Sequence, residues 1–266
     1  MASTHATHPT RQGWSSWITH PAARTLAGAM ALAVVLAPGC ATPDPLTPPR
    51  QLLSPYATQG AEPIWAVVPL RNESGTTAAD RFATSDRLVA TITQAQGLRA
   101  LPLNRTIDAM ASLEMAEPSG PEDLDRLARL LGADGVIVGS ITAYDPYEPQ
   151  LGIALALYAR PGALSDAAAE PLDTRRLVEQ PTDYDFFRQV EAGRRPASSV
   201  AYVFDGRDHD VQQRVRRFAE GRSAEPSALG WRTYLKSMPD FERFAVWEAT
   251  EGLLEREWIR LASAAG

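Results

Sequence analysis

Apolar positions along the chain change period several times, and each period predicts an element. Ile64-Trp65-Ala66-Val67-Val68-Pro69-Leu70 is a near-continuous apolar run, the pattern of a central strand covered on both faces. Arg71-Asn72-Glu73-Ser74-Gly75 follows with turn residues. From Ala78 to Gln96, the residues Phe82, Leu88, Val89, Ile92 and Ala95 recur at helical spacing, and Gly97 is placed to end that helix. Leu98 to Leu103 alternates and reads as a second strand, with Pro102 favouring a strand end or edge. Asn104 is a candidate cap for a helix carrying Ile107, Met110 and Ala111. Ser119-Gly120-Pro121 opens another, with Leu124, Leu127, Ala128 and Leu131 on one face and Gly132 as its stop. Gly135 to Tyr144 and Leu151 to Tyr158 read as third and fourth strands, and the short link Asp145–Pro149 predicts an antiparallel hairpin. The order β-α-β-α-α-β-β over residues 64–160 predicts an α/β (α+β) domain with a mixed sheet.

Residues 161–197 lose this regularity and read as a loop-rich connection. Beyond them a helical extension is expected over 198–266, with segments at Ser198–Phe204, Asp210–Glu220 and Asp240 to about Ala262. The last is long and amphipathic, with Phe244, Trp247, Leu254, Trp258 and Leu261 near one stripe and Pro239 well placed to start it. Leu229 to Leu235 adds Trp231 and Tyr234. These aromatics either pack onto the α/β unit or form a contact surface, so Trp231, Tyr234, Trp247 and Trp258 are candidate partner-facing residues. No 9–11-residue alternating segment of the kind a membrane barrel needs stands out between 159 and 266.

The first forty residues have a different grammar. Residues 1–24 carry Arg11 and Arg24 and no acidic residue, and Thr25 to Ala37 is mostly apolar. Thirteen helical residues span only about 20 Å, short of a hydrocarbon core of about 30 Å. A positive leader, a short apolar run and small residues before a cut describe a secretory signal over 1–39. Ala37-Pro38-Gly39-Cys40 follows, and Cys40 is the only cysteine. This resembles the lipobox of bacterial lipoproteins, whose cysteine becomes the acylated N-terminus; here Leu36 stands one place further from the cysteine than the usual leucine. The resemblance implies lipidation at Cys40 and membrane attachment through it, with the outer membrane as the default because Ala41 follows. A signal peptide cleaved without acylation, or an uncleaved anchor, are the alternatives. Residues 41–63 are rich in proline and lack periodicity, which predicts an extended tether without a core.

Composition narrows the chemistry. With a net charge of −6 over 266 residues, the chain lacks the basic footprint of a nucleic-acid-binding protein. One cysteine excludes an intramolecular disulfide and a zinc cluster. His209 is the one histidine beyond the leader, and Lys236 is the only lysine. The cluster Asp205-Gly206-Arg207-Asp208-His209-Asp210 has metal-binding residue types but not the spacing of a calcium loop. Asp208 or Asp210 more simply caps the helix that follows. Arg207, Arg214, Arg216, Arg217 and Arg222 make a local basic face, solvated or set against an anionic lipid or glycan. The turn Asn72, Ser74, Gly75 could present backbone N–H groups to an anion or partner, or simply join strand to helix. No catalytic residue, cofactor or metal ligand is assigned. Paired carboxylates of a hydrolase remain an alternative.

The segments VVPLRNESG, after a tether, and LARLLGADGVIVGSITAYDPYEPQLGIALALY resemble the envelope α/β fold shared by the CsgG curli-secretion family, the N-terminal domain of TolB-like proteins and the LpoB-type lipoproteins that activate peptidoglycan synthases. The residues that carry the resemblance are Asn72, Ser74 and Gly75, then Gly132, Ala133, Asp134 and Gly139. The resemblance implies a lipid-anchored envelope protein facing the periplasm. It would bind, regulate or help assemble a secretion or cell-wall machine through an envelope protein partner. A subunit of a CsgG-like oligomeric export channel is the alternative from the same resemblance.

Overall fold

The apolar run that opens the expected domain forms strand β1 (Ile64–Val67), buried on both faces. Trp65 and Val67 enter the larger of two buried clusters, and Ala66 and Val68 the smaller, on the other side of the sheet. The computed structural model describes residues 48–60, 62–164, 195–222 and 228–264. The expected signal segment 1–39, Cys40 and most of the expected 161–197 connection lie outside the described residues.

After β1 the chain runs through β2 (Arg71–Asn72), α1 (Arg81–Thr93), β3 (Arg99–Ala100), α2 (Leu103–Ser112), α3 (Pro121–Leu131), β4 (Gly135–Asp145), β5 (Gln150–Ala159), β6 (Ser198–Asp205), α4 (His209–Ala219) and α5 (Met238–Ala264). The strands make one mixed sheet in the order β3-β1-β4-β5-β6, with β2 beside β4. β1 is parallel to β3 and β4, and β5 is antiparallel to β4 and β6. The fold is therefore α/β with a mixed sheet, and the expected β4–β5 hairpin is present. Asp145 closes its turn by accepting the N–H groups of Tyr147 and Glu148 at 2.8 and 3.1 Å.

Local chemistry sets the helix ends. Asp80 caps α1, its carboxylate accepting the N–H groups of Phe82 and Ala83 at 3.0 Å each. α2 begins at Leu103, directly after Pro102, so Asn104 is not its cap; the Asn104 side chain accepts the neighbouring Arg105 N–H. α3 opens on Pro121 and stops at Gly132, whose φ of 65° is left-handed. That turn delivers Ala133 to the core and Asp134 to the base of the sheet. Asp134 accepts Ile64 N–H at 2.9 Å, donates its own N–H to Ile64 O at 2.7 Å and meets Arg160 at 2.8 Å. The Gly-Ala-Asp stretch thus fastens the starts of β1 and β4 to the end of β5.

Residues Ser198 to Phe204, expected as a short helix, are instead strand β6. Ser198, Val200 and Phe204 are buried while Ser199, Ala201 and Val203 are exposed, a period of two. β-branched and aromatic residues suit such a half-buried surface, and pairing with the free edge of β5 satisfies the backbone. The helical part of the tail begins at α4, which Asp208 caps by accepting Asp210 N–H.

The expected tether is also shorter than its composition suggested. Residues 50–60 lie along α5 as a strap, with Leu52, Ser54 and Tyr56 buried and a 3-10 turn over Pro55–Gln59. Ser54 and Gln96 bond as in a short parallel pair, Ser54 N–H to Gln96 O and Gln96 N–H to Leu52 O at 3.1 and 3.0 Å. Apolar Leu52 and Tyr56 gain more by burial than proline-rich neighbours lose by ordering. Gly97 makes room for this strap. Its φ is +74°, and a Cβ there would sit 2.4 Å from Ala57 Cβ. Gly97→Ala should therefore combine left-handed strain with overpacking and lower stability by about 2–4 kcal/mol, read from the urea midpoint.

Candidate functional site

The topology creates a crevice before any side chain is considered. From β1 the chain passes to α1, whose Leu88, Val89 and Ile92 pack into the larger cluster. From β3 it passes to α2, whose Ala109 and Met110 pack into the smaller cluster on the opposite face. Adjacent parallel strands whose helices leave to opposite faces define a switch point, and the space outside their carboxyl ends is where α/β sheets place ligands.

A groove of about 430 Å³ occupies this position. Val68 and Pro69 lie at its base, Phe82 of α1 on one side, and Ile107 and Met110 of α2 on the other. Phe82 is 46% and Ile107 37% exposed, so a large apolar side chain meets solvent on each side of the groove. A second cleft of about 290 Å³ adjoins it and shares Val68, Pro69 and Glu117. Arg71, Glu73 and Tyr158 line this cleft. Glu117 stands between the two spaces, its carboxylate 3.1 Å from Arg71 and 3.4 Å from Arg81. The Glu117 charge is thus engaged by two guanidiniums from β2 and α1. With Glu73 it does not form the free pair of acids that a hydrolase would use. The arrangement can receive an apolar side chain and ring it with charge.

The turn Asn72, Ser74, Gly75 borders the second cleft through its neighbours Arg71 and Glu73 rather than through its own atoms. Asn72 organises the turn: its amide donates to Thr76 O at 2.7 Å, and its carbonyl accepts the Ser74 hydroxyl at 2.7 Å. Gly75 takes φ 78°. The turn's polar groups are satisfied internally, as a strand-to-helix connection requires.

The four candidate aromatics do not come together as one surface. Trp247 is 3% exposed and lies in the core, which removes it from any contact surface. It sits beneath the guanidiniums of Arg50 and Arg222, where its ring gains more from burial and stacking than from solvent. Tyr234 is half-buried and meets the Phe218 ring edge-on at 5.4 Å. Trp231 is half-buried in the same 3-10 segment, Gly230–Leu235. Trp258 is 38% exposed, and its indole N–H donates to Leu53 O of the strap at 3.3 Å.

The acidic cluster at 205–210 is consumed by its own fold. Asp205 binds Arg207 through its carboxylate, which the Arg207 hydrogen bonds hold below the ordinary aspartate range. Among the described residues no group of three or more ligating side chains could hold a metal ion. No helix of the described residues is long and apolar enough to cross a membrane. The sequence puts Phe82 and Ile107 among the apolar positions of their helices; in the structure both sit on the flank of the buried stripe.

The molecule is thus an α/β protein whose mixed sheet carries an apolar groove at its switch point. No protein-family profile matches the chain, and no curated protein matches it. Solved structures similar to parts of the chain include three that span different shares of it. The C-terminal domain of LpoB from Salmonella enterica is 12% identical, covering 41% of this chain and 85% of that one at a TM-score of 0.33. Lipoprotein GNA1162 from Neisseria meningitidis is 16% identical, covering 38% and 74% at 0.32. The hypothetical protein CT253 from Chlamydia trachomatis is 12% identical, covering 73% and 98% at 0.37.

Proposed function

We propose that this is a lipid-anchored protein of the bacterial cell envelope that works by binding a protein partner. Acylated Cys40 holds it at the outer membrane, with the domain facing the periplasm, and the partner belongs to a secretion or cell-wall-synthesis assembly. The observation that carries the binding role is the groove at the carboxyl ends of β1 and β3, where Phe82 and Ile107 stand exposed beside the Arg71–Glu117–Arg81 ion pairs. An apolar floor with a charged rim is the anatomy of a protein contact. Covering a large apolar side chain contributes about 1.5–3 kcal/mol when burial is complete. The leader, the apolar run and the single cysteine support the anchor. Several acyl chains on one cysteine hold a protein stably, each buried CH₂ contributing about 0.8 kcal/mol.

Two measurements test the two halves. Cys40→Ala should move the protein from the membrane to the soluble fraction of lysed cells; unchanged partitioning removes the anchor. A photo-crosslinking residue at position 82 should capture one envelope protein in intact cells, and Ile107→Asp should abolish that capture while leaving the far-ultraviolet spectrum unchanged. A crosslinking residue at Tyr147, which is 94% exposed in the β4–β5 turn and does not line the groove, serves as the control. Equal capture from both positions would remove the groove from the account.

A further inference from the structure

Where the strap joins the domain, a cavity of about 590 Å³ opens between the strap, α1, α4 and α5. Arg50, Arg222 and Arg243 line it, with Trp247, Tyr234 and Gln94 between them. Two of the arginines have acidic partners: Arg50 meets Glu251 at 2.6 Å, and Arg243 meets Asp240 at 3.0 Å. Arg222 is different. Its two terminal nitrogens donate to Phe218 O at 2.7 Å and Arg50 O at 2.9 Å, both neutral carbonyls. Its guanidinium lies 4.2 Å from the Phe218 ring centre and 5.0 Å from that of Trp247, and Arg50 lies 4.8 Å from the same Trp247 ring.

Three guanidiniums thus line one cavity, and among the described residues the half-buried Arg222 meets no carboxylate at ion-pair distance, Glu251 acting on it only from behind its own pair with Arg50. Burial lowers the Arg222 pKa, and the neighbouring Arg50 lowers it further, against Tyr234 and Glu251. A partly desolvated charge with neutral acceptors is expensive unless an anion completes it. Guanidiniums fit phosphate oxygens in a fork, and the aromatic ring beneath them holds their planes in place. Glutamine and tyrosine add neutral donors at the same mouth.

We propose that this cavity binds an anionic phosphate group, presented by a phospholipid headgroup. The lipid source rests on the reading that Cys40 is acylated: Arg50 stands ten positions after Cys40, a reach of at most about 35 Å. The phosphate site itself does not.

The test uses the full chain in non-ionic detergent, with thermal unfolding followed by circular dichroism. Phosphatidylglycerol, phosphatidylcholine and inorganic phosphate are added separately. Phosphatidylglycerol should raise Tm by about 2–4 °C, with no comparable effect of phosphatidylcholine, and Arg222→Gln should abolish the shift. A shift of equal size with inorganic phosphate alone, also lost in Arg222→Gln, supports the site and assigns a soluble source. Absence of a shift, an equal shift with phosphatidylcholine, or a shift that survives Arg222→Gln overturns the proposal. Should Arg222→Gln fail to fold, Arg243→Gln decides, because that side chain is 63% exposed at the cavity rim; it should weaken the apparent affinity about tenfold. Cys40→Ala should keep the response in detergent, so loss of the anchor and loss of the site are read separately.

Discussion

Glu257→Ala lowers the unfolding free energy by about 3–5 kcal/mol, measured from urea denaturation. Glu257 is fully buried near the C-terminal end of α5. It accepts the Tyr56 hydroxyl at 2.5 Å, the Ser198 hydroxyl, and the Arg260 guanidinium at 3.0 and 2.8 Å. These donors come from the strap, β6 and α5, so one carboxylate joins three parts of the chain. Burial pushes the Tyr56 phenol well above its ordinary pKa, and the Glu257 charge pushes it further, so Tyr56 remains a donor throughout the physiological range. Alanine would leave two hydroxyls without this acceptor and take the carboxylate from the half-buried Arg260 guanidinium, which keeps Leu164 O at 2.7 Å. Tyr56→Phe removes one charge-assisted bond and should cost about 1.5–3 kcal/mol. Equal losses for the two substitutions would show that the carboxylate acts through Tyr56 alone.

A chain starting at residue 64 fails to hold its fold at 37 °C, whereas one starting at residue 48 unfolds cooperatively. Circular dichroism and limited proteolysis distinguish them. The longer deletion removes Leu52 and Tyr56, both 3% exposed in the main cluster. Losing a buried leucine costs about 2–5 kcal/mol and a large aromatic about 3–5 kcal/mol. It also leaves Glu257 without the strap's hydroxyl and Glu251 without Arg50. The sum approaches the whole stability of an ordinary domain, about 5–15 kcal/mol. Equal stability of the two chains would show that the strap rests on the domain without supporting it.

The parts legible in the sequence are those whose cause is local. A near-continuous apolar run identified β1, a short turn the β4–β5 hairpin, Pro121 and Gly132 the limits of α3, and the pair Asp208 or Asp210 a cap that the structure gives to Asp208. The strap was hidden because its burial depends on partners 201 residues away, as between Tyr56 and Glu257. A proline-rich composition describes what a segment costs to order, not what it finds to pack against. β6 was hidden for a similar reason. Eight residues satisfy either period tolerably, and the free edge of β5 decided between them. The stripe drawn on α5 was incomplete because Phe244, Ala245, Val246 and Trp247 are all buried, as befits a helix wrapped by the sheet, α1 and the strap. The groove escaped because it belongs to topology: Phe82 and Ile107 become neighbours only once α1 and α2 leave opposite faces of the sheet.

The clasp between the strap and α5 also orders events in time. Tyr56 and its acceptor Glu257 stand 201 residues apart along the chain. Contacts of such long sequence separation form slowly. Until α5 docks, Leu52 and Tyr56 lack the helix they pack along, so the strap stays open and sticky. Closure of the strap therefore waits on α5, and a chain interrupted within Met238–Ala264 cannot shut.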